Sequence, residues 1–185
     1  MDPLPFFCYC NPFFWATLSM FALIGGSITL VSHKMRKYRW LNVTFVILFG
    51  LGRFMIPLPC CVQPRFDLGP FQLYLGALIL VIGLGFMSAM FLIDPWPKPC
   101  EELRLVTRGI FSIVRNPMYL GEVLWTLGWA LMWGSTIGIL LLPLWWAGLL
   151  LFVMLEEEDL ERCLGEPYCA YRGRVRGRIL PWLPF

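Results

Sequence analysis

Residues 71–93 run for 23 positions without a single charged side chain. As a helix, a run of that length is about 35 Å long, enough to cross the roughly 30 Å hydrocarbon core of a bilayer. It is apolar on every side, so no single face would turn to a soluble core. That excludes an ordinary water-soluble domain. The whole chain agrees: 58% of its 185 residues are hydrophobic, 15% are charged, and the mean hydropathy is +0.68. A soluble domain is nearer half apolar and about a quarter charged.

Four further apolar blocks are expected to be helical. Residues 13–31 contain no charge and end at the basic cluster Lys34, Arg36, Lys37 and Arg39. Asp2, Pro3 and Pro5 stand where a cleavable leader would be positive, so this block is expected to be retained. Residues 40–56 carry Arg53 near their far end, where a long side chain can snorkel to the interface. Residues 118–133 are short and carry Glu122. Residues 137–155 contain Pro143, which predicts a kink or a late helix start. Gly134, Ser135 and Thr136 predict a tight turn between the last two blocks, with Ser135 or Thr136 as the cap. The expected fold is all-α: a polytopic transmembrane helical bundle of about five spans, with a C-terminal helical hairpin and a cytoplasmic amphipathic tail. Four spans would result if residues 40–56 were re-entrant.

The distribution of Lys and Arg sets the orientation. The loop after the first block and the loop 94–117 each carry four, whereas the loop after residue 56 carries only Arg65. Five spans then leave the N-terminus outside and the C-terminus in the cytoplasm. Segments 94–117 and 156–185 come to one face. The tail is expected to extend the last span over 156–164, stop at Gly165, and restart at Pro167 with Tyr168, Tyr171 and Val175 on one face. The short basic loops are explained by orientation, so nucleic acid is not an expected partner. Seven cysteines show no zinc spacing, and no metal is expected. Cys8 and Cys10 fall on the same side as Cys60 and Cys61. A disulfide between the pairs and a simple packing role both stay open.

Four constellations bear on chemistry. Arg115-Asn116-Pro117-Met118-Tyr119 opens a helix, with Asn116 suited to the N-cap and Pro117 to the first turn. N–H groups at that end suit a carboxylate, although interfacial anchoring explains Arg and Tyr equally. Glu122 shares a face with Tyr119. An ionisable group inside a span needs a partner or a function, and Arg115 is the obvious candidate partner. Glu156-Glu157-Glu158-Asp159 crowds four acids at the wrong end of a helix for the dipole. Glu158 can pair with Arg162, whereas Glu156 and Glu157 have no local partner. They suit an ammonium or sulfonium ligand, or form a solvated collar. Gly83-Leu84-Gly85 permits close backbone approach, which in membrane helices usually serves packing. Arg174 beside Tyr171 suits a carboxylate or phosphate, or anionic lipid headgroups.

In order, Gly109…Arg115-Asn116-Pro117-Met118-Tyr119 and Glu156-Glu157…Leu164-Gly165…Tyr168…Tyr171…Arg174-Val175…Pro181 resemble one superfamily of integral membrane methyltransferases. It contains the isoprenylcysteine carboxyl methyltransferases and the phospholipid N-methyltransferases. The likeness covers residues 83–181. It implies one membrane domain over 1–185, with N-terminal spans in 1–70 and a methyltransferase-like core in 71–185. It implies S-adenosyl-L-methionine as cofactor, bound by Arg115, Asn116, Pro117, Tyr119, Glu156 and Glu157. Leu105, Val106, Thr107 and Gly109 match the stretch whose backbone lines that cofactor, and Gly83 and Gly85 the glycine pair of the phospholipid branch. Arg174 matches the arginine near the methyl acceptor in the carboxyl branch. Asn116 stands where the family usually has histidine, and the Asn-Pro-Met-Tyr form resembles the phospholipid branch.

The implied reaction is in-line methyl transfer, which needs alignment and exclusion of water. The implied catalytic residues are Tyr119, whose ring face can hold a cation, Arg174, which can orient an acceptor, and Glu122 as base for an amine. The acceptor is lipophilic and enters from the bilayer: an isoprenylcysteine carboxylate, a phospholipid amine, or a small lipophilic thiol or acid. Membrane lipids are the other partners, and the location is a bacterial inner membrane or the endoplasmic reticulum. The tail also resembles the C-terminal part of NADPH-dependent sterol reductases, and a non-catalytic scaffold is the third reading. Cofactor preference separates the three.

Overall fold

The computed structural model describes residues 10–31, 39–93, 100 and 104–181. Cys8, the cluster Lys34, Arg36 and Lys37, and Pro95, Pro97, Lys98 and Pro99 lie outside the described residues. Among those described the fold is all-α. Its helices are α1 (Pro12–Val31), α2 (Arg39–Met55), α3 (Pro70–Ile93), α4 (Pro117–Met132), α5 (Thr136–Leu164) and α6 (Glu166–Arg174), with a 3-10 turn at Gly109–Ser112. Three helices are long and apolar enough to cross a membrane: α1 over Pro12–Thr29, α3 over Pro70–Ala89, and α5. α2 is a shorter apolar helix, over Trp40–Met55. The 16 residues of α4 extend about 24 Å, short of the bilayer core. Large apolar side chains such as Phe21, Val46, Val81 and Leu140 point outward, as lipid contact requires.

α3 and α4 form the tightest pair, and glycines explain why. Gly76 and Gly83 on α3 face Gly128 and Gly121 on α4. A Cβ on Gly121 would stand 2.7 Å from the Gly83 carbonyl oxygen, and one on Gly76 2.8 Å from that of Gly128. With no side chains between them the two backbones touch, the usual way membrane helices gain packing energy. α1 and α2 pair beside them. Gly52 of α2 sits on Trp15 and Ser19, and the Ser19 hydroxyl accepts from Trp145 Nε1 of α5 at 3.1 Å. The shared core includes Ala22, Leu23, Phe49, Leu120, Val123, Leu149 and Val153.

The two ends of the bundle differ in chemistry. At one end the loop 57–69 is tied to the turn between α4 and α5. Arg65 donates to the carbonyls of Leu58 and Trp133, both at 2.6 Å, and Phe66 N–H donates to Gly134 at 3.0 Å. Ser135 caps α5 as expected, its hydroxyl accepting from Gly138 N–H. Cys10, Cys60 and Cys61 gather here too, with Val62 N–H donating to the Cys10 carbonyl. Burial first, then the neighbouring Cys60 and Cys10, push the Cys61 thiol up to about 12.

At the opposite end lie residues 104–116, the last turns of α5, and α6. α5 runs unbroken through Pro143, so the helix does not start late. It overshoots α4 and carries the acidic run beyond its apolar part. Gly165, at φ +61°, makes the corner into α6 that a side chain would resist.

Candidate functional site

Glu156 and Glu157 are consecutive on α5, so their side chains leave the helix about 100° apart. Glu157 turns inward and is 2% exposed, whereas Glu156 is half-buried. Neither finds a local partner, as expected, but both are paired with groups from distant segments. Arg115 binds Glu157 through two parallel bonds, Nε to Oε1 at 2.8 Å and Nη2 to Oε2 at 3.1 Å. Asn116 Nδ2 donates to Oε1 at 2.8 Å, and Arg178 Nε to Oε2 at 2.9 Å. Two cations and an amide thus surround one buried carboxylate, the condition under which a buried charge is tolerated.

The rest of Arg115 is equally occupied. Its Nη1 donates to the Val175 and Arg176 carbonyls at 2.8 and 3.0 Å. Its backbone N–H bonds Gly177, and that of Asn116 bonds Arg178. The extended tail is therefore laced to the entrance of α4. Burial pulls the Arg115 guanidinium down, but the bond and charge of Glu157 outweigh it and its pKa is raised. Asn116 does not cap α4 with its side chain, as its sequence position suggested. Its amide goes to Glu157 and the Arg178 carbonyl, which offer a charged acceptor inside the fold. Pro117 opens α4 as expected.

Tyr119 faces Glu156. Its hydroxyl donates to Oε2 at 2.6 Å, and its ring lies 6.2 Å from that of Phe152. Below them, Tyr168, Tyr171 and Val175 of the tail pack with Leu105, Phe111, Leu160 and Leu164. The Tyr171 hydroxyl donates to the Phe111 carbonyl at 2.7 Å, and burial pushes its pKa up to about 12. A disulfide between Cys100 and Cys163 joins the preceding loop to the last turn of α5. Val106 and Thr107 are half-buried, and Gly109 is exposed at φ +64°, opening the 3-10 turn.

The other sequence-derived candidates stand apart from this network. Gly83 is buried against the α4 backbone at Gly121 and Trp125, whereas Gly85 is exposed with nothing near its Cβ position. Arg174 ends α6 with its side chain exposed. Glu122 does not pair with Arg115. Its partner is Arg53 of α2, with Nη2 at 2.7 Å from Oε2, and Trp125 Nε1 donates to the same oxygen at 2.9 Å. Arg53 does not snorkel outward. It is 3% exposed and stacks its guanidinium 3.7 Å from the Phe49 ring centroid. Sequence reasoning missed Arg178 and the carbonyls of 175–178. Their only signal was a basic, helix-poor tail.

Comparison with known proteins bears on the same segments. The family model described as phospholipid methyltransferase matches residues 47–166, more than half of the chain. A curated protein from Schizosaccharomyces pombe (strain 972 / ATCC 24843), Protein-S-isoprenylcysteine O-methyltransferase, is 36% identical over 88 residues. That match spans 47% of this chain and 37% of the relative, so the chain corresponds to well under half of the relative's length. No solved structure matches. The family match takes in α3, the helix pair α4 and α5 and the whole acidic run, and on that extent the chain belongs to the phospholipid methyltransferase family.

Proposed function

We propose that this chain is an integral membrane methyltransferase that uses S-adenosyl-L-methionine to methylate a lipophilic acceptor entering from the bilayer. The observation that carries the reading is the joining of Arg115, Asn116 and Tyr119 to Glu156 and Glu157, two segments separated by a helical hairpin. Family membership supports the same chemistry. In this reading α1 to α5 make about five spans, α4 being a short one, with the N-terminus outside and the polar end in the cytoplasm. The host is a bacterial inner membrane or the endoplasmic reticulum.

The residues present fit the cofactor. A half-buried carboxylate, Glu156, accepts from the hydroxyl of a buried tyrosine, Tyr119, at the edge of an apolar bundle. That combination suits a sulfonium or ammonium group. When bound, S-adenosyl-L-methionine supplies an electrophilic methyl group on a positively charged sulfur. Glu156 holds the positive end and Tyr119 orients Glu156 through its hydroxyl. Glu157 fixes Arg115 and Asn116, and with Pro117 these shape the wall at the start of α4. By the family likeness, the backbone of Leu105, Val106, Thr107 and Gly109 would line the cofactor. Gly83 and Gly85 belong to this reading through the family likeness, Gly83 by letting α3 approach α4.

Passed to an acceptor's lone pair, that methyl group would leave the donor as a neutral thioether. A carboxylate or thiolate acceptor needs no base, whereas an ammonium must first give up a proton, for which Glu122 is the candidate. Arg174, exposed at the end of α6, would orient an anionic acceptor head. The acceptor is an isoprenylcysteine-like carboxylate, a phospholipid amine, or a small lipophilic thiol or acid. Isothermal titration of the detergent-solubilised chain tests the cofactor. Saturable binding of S-adenosyl-L-methionine and its demethylated product is expected, and binding of neither would overturn the proposal. Stabilisation by NADPH alone would favour a reductase instead.

A further inference from the structure

The pair Arg53–Glu122 has more hydrogen-bonding capacity than the protein uses. Arg53 comes from α2, in the N-terminal half that the sequence motifs leave without a role. Its Nε donates to the Phe49 carbonyl at 3.3 Å and its Nη2 to Glu122 Oε2 at 2.7 Å. Its Nη1 is buried and has no partner. On the other side, both donors to Glu122, Arg53 Nη2 and Trp125 Nε1, land on Oε2. No described residue donates to Oε1. The Glu122 side chain is 17% exposed and that of Arg53 2%, so an occupant would reach the pair from the Glu122 side.

A buried guanidinium N–H without an acceptor is costly, and a pair held only for packing would gain nothing from leaving a donor and an acceptor oxygen unused. The location is also specific. Glu122 lies three residues after Tyr119 on α4, so the two side chains are neighbours on one helix face. Tyr119 in turn reaches Glu156 at 2.6 Å. An acceptor head seated on Arg53 and Glu122 would therefore stand one helical turn from the proposed methyl donor site, on the membrane side of it.

We infer that Arg53 and Glu122 form a two-ended clamp for the acceptor head, with Arg53 Nη1 donating to an acceptor oxygen and Glu122 Oε1 accepting from an acceptor N–H. This deepens the methyltransferase reading and rests on it for the reaction, though not for binding. It selects among acceptors. The head must carry an oxygen acceptor close to an N–H donor. A carboxylate beside an amide, as in an acylated prenylcysteine, satisfies it. So does a phosphate beside an ammonium, as in an aminophospholipid. A fatty acid or a bare lipophilic thiol does not.

The test measures binding to the solubilised full chain without cofactor, by tryptophan fluorescence. The probes are N-acetyl-S-farnesyl-cysteine, a short-chain phosphatidylethanolamine, and S-farnesyl-thiopropionate, which keeps the carboxylate but lacks the N–H. The wild type should bind at least one two-ended probe about tenfold or more tighter than the thiopropionate. Which of the first two binds identifies the source of the head. Arg53→Gln should lose that preference. The double variant Arg53→Glu with Glu122→Arg restores an ion pair but reverses the ends, and should lose it as well. Equal binding of all three probes to the wild type, or retention of the preference in the reversed pair, would overturn the clamp. S-adenosyl-L-methionine is titrated alongside into the wild type. Its failure with the wild type, while the probe preference persists, would remove the methyltransferase reading and leave the clamp standing.

Discussion

Arg115 and Glu157 lie 42 residues apart and meet in a two-bond contact, at 2.8 and 3.1 Å, between the entrance of α4 and the foot of α5. Neither helix alone has a reason to hold a charge there. Glu157 would strand a carboxylate in the protein interior, and Arg115 would strand a cation. Together with Asn116, Arg178 and the tail carbonyls they convert three chain segments into one rigid wall. Next to that wall the buried Tyr119 donates its hydroxyl to the half-buried Glu156.

Removing the charge of Glu157 should therefore damage more than a ligand contact. Glu157→Gln leaves Arg115 buried without its counter-charge, and breaking such a pair costs about 3–5 kcal/mol. Thermal unfolding in detergent should fall markedly, and cofactor binding with it. Glu158 is the internal comparison, because its ion pair with Arg162 is exposed on both sides. Glu158→Gln should change neither quantity measurably. Equal behaviour of the two variants would mean that the network is not structural.

Tyr119→Phe keeps the ring against Phe152 and deletes only the hydroxyl that bonds Glu156. A hydrogen bond to a charged group contributes roughly 1.5–3 kcal/mol, which corresponds to a loss of about 10- to 100-fold in cofactor affinity if Glu156 must be oriented. Titration calorimetry on the variant measures it. An unchanged affinity would place the cofactor elsewhere.

The glycines of α3 and α4 separate packing from binding. Gly121→Ala puts a methyl 2.7 Å from the Gly83 carbonyl oxygen and should destabilise by about 1–3 kcal/mol through overpacking. Gly85→Ala meets nothing and should leave stability unchanged. If Gly85→Ala nonetheless weakens cofactor binding in calorimetry, Gly85 acts as the family likeness implies. If it does not, the pair serves helix contact through Gly83 alone.

Thiol labelling examines the opposite end. Cys61 is buried and its thiol is pushed up to about 12, so little thiolate exists near neutral pH, while Cys60 is exposed. A maleimide applied to intact vesicles should modify Cys60 and spare Cys61, with mass spectrometry of peptides as the readout. Comparable labelling of both would contradict the packing of the loop 57–69.

The helices were legible because their signal is local. Each apolar block begins within a residue of an observed helix, and Ser135, Gly165 and Pro167 mark the ends where the chain turns. The position of Arg115, Asn116, Tyr119, Glu156 and Glu157 as a group was legible from motif order. Their partners were not. Local spacing offered Arg115 to Glu122 and left Glu157 alone, whereas the fold gives Glu122 to Arg53 and Glu157 to Arg115 and Arg178. Such pairings depend on which helices become neighbours, which periodicity along one helix does not encode. Asn116 illustrates the same limit. Its cap role competes with a buried carboxylate that only the tertiary structure brings within reach.

The central claim is that the Arg115–Glu157 wall holds a methyl donor beside the bilayer. The most direct measurement is transfer of label from methyl-labelled S-adenosyl-L-methionine into lipid extracts by the purified, reconstituted chain, compared with Arg115→Ala and Glu157→Gln. The account predicts a labelled lipophilic product with the wild type and its loss in both variants, with Glu158→Gln retaining it. Label transfer that persists in Arg115→Ala and Glu157→Gln, or no transfer to any lipophilic acceptor by the wild type, would contradict it.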